Sequence, residues 1–163
     1  MPNTLLIAHL SIIDTKSNLY TTAFKWLLML GDIIYEQKGK ISSYRVLDTE
    51  GPTIETTITG TGIINGIEVT DIVTYCSKPS KDSDGKTFSA EGQGIISTND
   101  GELISWKGYE IGRYNGHNRT DRGSVFFKAT TNGKLAFLNN KIGVFEYEAD
   151  ENGNTKGKIW EWK

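Results

Sequence analysis

The sequence predicts an all-β fold: an eight-stranded antiparallel up-and-down β-barrel behind an N-terminal, helical or unstructured, appendage. Three observations carry this. From Gly31 onward, runs rich in Ile, Thr, Val and aromatic residues alternate with turn signals such as Asn65-Gly66, Asp100-Gly101 and Asn132-Gly133. No amphipathic helix of convincing length interrupts the runs. Glycines recur within them, at Gly39, Gly60, Gly62, Gly92, Gly94, Gly108, Gly112 and Gly143. They would weaken a flat strand, but they relieve crowding and permit sharp coiling in a small barrel.

The elements follow in order. Residues 1–30 form the appendage and residues 31–163 the barrel domain. The appendage has two apolar patches, Leu5 to Ile13 and Ala23 to Leu30, around a polar stretch from Asp14 to Asn18. Neither patch reaches the roughly 18 to 20 apolar residues of a membrane span. Residues 17–30 suit a short amphipathic helix on the outside of the domain; alternatively, the first 28 residues are a leader before a start at Met29. The opening Met1-Pro2-Asn3-Thr4 lacks the basic residue of a secretory signal, so the expected location is cytoplasmic.

The first strand is expected over 33–47, with a bend or bulge at Gly39, and Glu50-Gly51-Pro52 turns the chain. A Thr/Ile strand over 53–64 meets Asn65-Gly66, a strong two-residue hairpin signal, and 67–75 returns. After a polar loop at 78–86 come strands over 87–97 and 102–114, joined by Asn99-Asp100-Gly101. A loop is expected at 115–121, a strand at 122–130, a long strand at 134–148 and a last strand at 156–162. Such short connections force sequential antiparallel pairing, and the last strand can pair with the first and remove both edges.

Composition narrows function by exclusion. A chain of 163 residues suits one domain and can bury roughly 70% of its unfolded surface. Eighteen Lys and Arg against 20 Asp and Glu leave a net charge of −2, without the basic excess of a nucleic-acid binder or a polybasic membrane anchor. The one cysteine, Cys76, permits neither an intramolecular disulfide nor a cysteine-rich zinc site. With only His9 and His117, no metal site and no Ser-His-Asp set can be placed, and no cofactor is expected.

Several stretches carry a resemblance: Gly31-Asp32-Ile33-Ile34-Tyr35-Glu36, Glu91-Gly92-Gln93-Gly94, Arg122-Gly123-Ser124, the run from Gly133 to Asn140, and Gly143 to Glu148. From Gly31 to Lys163 the chain resembles a group of small, mostly uncharacterised prokaryotic proteins with allene-oxide-cyclase-like (calycin-like) barrels. The resemblance implies an eight-stranded antiparallel barrel, often oligomeric, with an apolar lumen; it implies no reaction. The plant cyclases use a glutamate early in the first strand and an asparagine two residues later. Glu36 matches the first, and Lys38 stands where the second would be.

The candidate residues divide by face. Glu36, if it points into an apolar lumen, gains a raised pKa and can move protons; on the other face it is a solvated carboxylate. Alternation puts Glu91 and Gln93 together: facing inward they orient a ligand, facing outward they leave Gly92 and Gly94 to make room for bulky lumen side chains. The glycine pair leads into no helix, so it is not a phosphate loop. Arg113, and less so Arg45 and Arg122, can hold a carboxylate ligand at the barrel mouth or pair with a surface acid such as Glu110 or Asp121. Trp106 and Tyr75 are the aromatics expected to line a cavity, and Trp160 and Trp162 share a face that can cover an oligomer contact. The leading reading is a binding barrel for a small, partly apolar or carboxylate ligand, more a binder than an enzyme. The alternatives are an isomerase or cyclase using Glu36, and a non-catalytic homo-oligomer.

Overall fold

The computed structural model describes residues 30–81, 84–129 and 132–163. The expectations for the appendage, a helix or a leader, fall in residues outside these. The strands are β1 (Leu30–Asp48), β2 (Thr53–Ile64), β3 (Ile67–Pro79), β4 (Thr87–Thr98), β5 (Leu103–Asn115), β6 (Asn118–Ala129), β7 (Ile142–Ala149) and β8 (Asn154–Trp162). They form a closed barrel in chain order. The ladders from β1·β2 to β7·β8 are antiparallel. At the seam between β8 and β1, the Ile41 N–H donates to the Gly153 carbonyl at 2.8 Å.

Local chemistry explains the turns and the pleat. Asn65 and Gly66, at φ 47° and 81°, supply the two left-handed residues of a tight hairpin between β2 and β3. Along β4, Phe88, Ala90, Gly92, Gly94, Ile96 and Thr98 are buried, while Ser89, Glu91, Gln93 and Ile95 are exposed. The same period of two runs through β3 and β5.

The lumen is filled by a recurring pair, an aromatic ring lying over a glycine of a neighbouring strand. A side chain at Gly94 would begin 2.6 Å from the Trp106 indole, and one at Gly92 would overlap the Tyr75 ring. Phe88 covers Gly112, and Phe145 covers Gly123, in the same way. The glycines therefore act as sockets that let large rings lie across a narrow barrel.

Two boundaries differ from the sequence expectation. The strand expected over 134–148 starts only at Ile142, because the preceding segment turns inward through a 3-10 turn at Ala136–Leu138. Leu135 and Leu138 are fully buried there and close one end of the barrel. The Glu102 carboxylate accepts the backbone N–H groups of Lys134 and Leu135 at 2.8 and 2.9 Å, which fixes this plug. The apolar run Leu135-Ala136-Phe137-Leu138 reads as strand by composition, but its burial is that of a lid. Likewise the loop expected at 115–121 shrinks to a tight turn, and β6 begins at Asn118. That puts Arg119 and Asp121 on a strand.

At the other end, β1 has two register shifts, between Ile41 and Ser43 and between Val46 and Asp48. From Ser42 to Asp48 every residue is exposed, Tyr44 and Val46 to 65% and 63%.

Candidate binding site in the barrel lumen

The period of two along β3 turns Val69, Asp71, Val73 and Tyr75 inward, so one carboxylate stands among apolar neighbours. It is held from β1. The Tyr35 hydroxyl donates to Asp71 Oδ2 at 2.8 Å, and Gln37 Nε2 donates to Oδ1 at 3.1 Å and to Oδ2 at 2.9 Å. Burial pushes the Asp71 carboxyl above its ordinary range, while the bonds from Tyr35 and Gln37 pull it back. Burial first, and then the Asp71 charge, push the Tyr35 hydroxyl far up.

Beside this group lies a hollow of about 40 Å³, walled by Tyr35, Gln37, Asp71, Tyr75, Trp106 and Tyr147 among others. Gln37 spends its amide N–H groups on Asp71, and its Oε1 is buried without a hydrogen-bond partner. Water needs roughly 10 to 15 Å³ of such space, so the hollow holds two or three atoms of water size.

A second polar cluster occupies the lumen on the far side of Tyr75 from the plug. Glu110 of β5 and Arg119 and Asp121 of β6 are all buried. Arg119 Nε lies 2.8 Å from Asp121 Oδ2. The two residues sit two apart on one strand, which bends the contact away from full hydrogen-bond geometry. The guanidinium also lies 5.4 Å over the Phe88 ring, which itself packs 5.0 Å from Tyr114. Glu110 is next to Tyr75, and neither of its oxygens has a well-aligned donor. Two carboxyls thus share one guanidinium. Burial, and then the charge of Asp121, raise the Glu110 carboxyl to about 8; Asp121 is raised by burial, against the pull of Arg119. Chemically, the lumen offers acceptors, aromatic faces and a carboxyl that keeps its proton near neutral pH.

The structure sorts the sequence candidates by face. Trp106 and Tyr75 point into the lumen, with ring centroids 5.9 Å apart, and both line the hollow. Glu36 does not point inward: Tyr35 and Gln37 take the lumen places on β1, and Glu36 is half exposed, 2.9 Å from Lys158 Nζ. Glu91 and Gln93 also face out, since Gly92 and Gly94 take the inward places beneath Tyr75 and Trp106. Arg113 lies outside, bound to Asp84 at 2.8 Å and to the Thr87 hydroxyl at 3.3 Å. Arg45 pairs with Glu55 and Arg122 with Glu146, both at 3.0 Å on the outer wall. Cys76 is a free thiol, and among the described residues no cluster of His, Cys, Asp and Glu could hold a metal.

The lumen groups that sequence reasoning passed over are Gln37, Asp71, Glu110, Arg119 and Asp121. Parity was the available signal. Glu110 shares the face of Trp106, four residues before it, and Asp71 shares the face of Val73 and Tyr75.

No protein family and no curated protein matches the chain. Solved structures do. A conserved protein of unknown function from Rhodopseudomonas palustris superposes with a TM-score of 0.64 at 11% identity, over 81% of this chain and 97% of that one. A protein of unknown function from Clostridium acetobutylicum gives 0.67 at 12% identity, over 81% and 98%. At such identities the likeness is one of fold: a closed eight-stranded barrel shared with uncharacterised proteins. It does not single out the allene-oxide-cyclase-like group.

Proposed function

We propose that this protein binds a small molecule in the lumen of its barrel. The observation that carries the reading is the hollow walled by Tyr35, Gln37, Asp71, Tyr75 and Trp106, whose accessible lining is almost wholly apolar. The volume sets the size. An apolar cavity that accepts benzene measures roughly 150 Å³, several times this one. The bound group therefore has two or three non-hydrogen atoms, and a larger, partly apolar molecule enters only if Trp106 or Tyr35 swings aside. Glu36 has no part in this reading, because its carboxylate is on the outer wall, paired with Lys158; a binder fits better than an isomerase.

The test is xenon NMR on the full chain, joined to native mass spectrometry of protein from its own host. A saturable xenon shift that disappears in Val73→Leu, where the added methylene intrudes on the hollow, supports the reading, and a retained small mass identifies the ligand. The absence of any xenon shift overturns it.

A second reading, assembly, has one observation in its favour. The exposed end of β1 presents Tyr44, Val46 and Leu47 to solvent. Sedimentation equilibrium of the full chain against a Tyr44→Asp, Val46→Asp variant checks it: a dimer lost in the variant supports assembly, and a monomer in both excludes it.

A further inference from the structure

We propose that the outer wall of β5 and β6 is the face on which two copies of this chain meet, about a two-fold axis running along these strands; the inference is independent of the lumen site. The pleat turns Tyr109 and Ile111 of β5 and Phe126 of β6 outward, 59%, 65% and 50% exposed, and Ile142 of β7 stands beside Phe126. Together they expose on the order of 400 Å², a large apolar patch for a lone chain and about half of what each partner gives to a standard interface. The sheet is a closed ring, so a partner packs on its wall rather than adding a strand to an edge.

The register points to a second copy as that partner. Tyr109 stands opposite Ser124 in the ladder, Lys107 opposite Phe126, and Ile111 opposite Arg122. With the two-fold axis between β5 and β6, each β5 residue of one copy faces the same ladder neighbour on the other. The Tyr109 ring then seats on the partner's Ser124, a small side chain in the row between Tyr109 and Val144. The exposed Lys107 sets its ammonium over the partner's Phe126 ring, a cation–π contact. Arg122 lays its aliphatic stem on the partner's Ile111 and keeps its charge on Glu146. The next pairs along the strands, Ser105 with Lys128 and Arg113 with Thr120, oppose no like charges. The wall therefore sets tall side chains against small ones and cations against apolar groups, which makes it complementary to itself. A nucleic acid or an acidic membrane would need a single-signed basic field, and the net charge of the chain is −2.

The experiment brings the full chain to sedimentation equilibrium beside Tyr109→Lys, Ser124→Asp, and the Tyr44→Asp, Val46→Asp double variant. The natural chain is expected to dimerise, and each single variant to raise the dimer dissociation constant at least about thirtyfold. An equimolar mixture of the two single variants regains most of the affinity, because the new ammonium of one copy faces the new carboxylate of the other. The double variant at the end of β1 dimerises like the natural chain. A dimer broken only by that double variant overturns the inference and moves the interface to the β1 end. A mixture that stays monomeric overturns the two-fold arrangement. A natural chain that is monomeric up to about 1 mM overturns the inference together with the assembly reading, and leaves the lumen reading standing. Should one single variant fail to fold, the other decides against the double variant.

Discussion

Replacing Glu110 by glutamine should remove most of the pH dependence of stability above neutrality. The carboxyl is buried on β5, 4% exposed, and its pKa rises from the ordinary 4.5 to about 8 in the fold. Between those values the folded chain holds a proton that the unfolded chain has released, so stability falls as pH rises. The contribution is fully present below the unfolded value and is gone once pH passes the folded one. From about pH 6 to about pH 9 this linkage removes about 2 to 3 kcal/mol, or about 5 to 10 °C in Tm for a domain of this size. Asp121 acts in a lower window, since its carboxyl is raised only to about 6. Gln at position 110 has nearly the same shape and does not titrate. The assay is urea unfolding of both proteins at half-unit steps across this range. The difference in unfolding free energy should change by roughly 2 kcal/mol in favour of the variant as pH rises. Parallel curves, or a natural chain that is flat from about pH 6 to about pH 9, would refute the placement of a protonated Glu110 in the lumen.

Two further outcomes test the geometry. Gly94→Val should cost about 1 to 3 kcal/mol through overpacking against the Trp106 indole, and Trp106→Leu in the same chain should recover part of it; chemical denaturation midpoints check both, and a neutral single variant contradicts the ring-on-glycine packing. Glu36→Gln should change stability by less than about 1 kcal/mol, because its pairing with Lys158 is half exposed, and should leave xenon uptake unchanged; loss of uptake would return Glu36 to the site.

Much of the barrel is legible in the sequence because its rules are local. Turn residues mark Asn65-Gly66, and alternation marks 67–75 and 87–97, so strand order follows without tertiary information. The plug was not legible. Leu135 to Leu138 has the composition of a strand, and what holds it as a turn includes the Glu102 carboxylate, some thirty residues earlier, and the Phe127 carbonyl, which accepts from Asn140 N–H. The site was half legible for a related reason. Trp106 and Tyr75 are lumen residues by their apolar character, whereas Glu110 and Asp121 look like surface acids until the inward face is known. Placing Arg119 and Asp121 in a loop removed the parity that would have exposed them. Glu36 shows the converse, since one step along the pleat separates it from Tyr35 and Gln37, both in the lumen.

The up-and-down order gives the seam between β1 and β8 a distinct energetic standing. Most adjacent strands meet across turns of a few residues, and each ladder can form as soon as its hairpin does. Ile41 and Gly153, bonded across the seam, are more than a hundred residues apart in the chain. Closing a loop roughly tenfold longer than a hairpin costs about 2 kcal/mol more in chain entropy. Until the intervening strands have folded and brought those ends together, the ring stays an open, coiled sheet. The hollow draws its walls from both sides of this join, Tyr35 and Gln37 from one and Gly157 and Ile159 from the other. The hollow is therefore complete only once this long-range seam has closed.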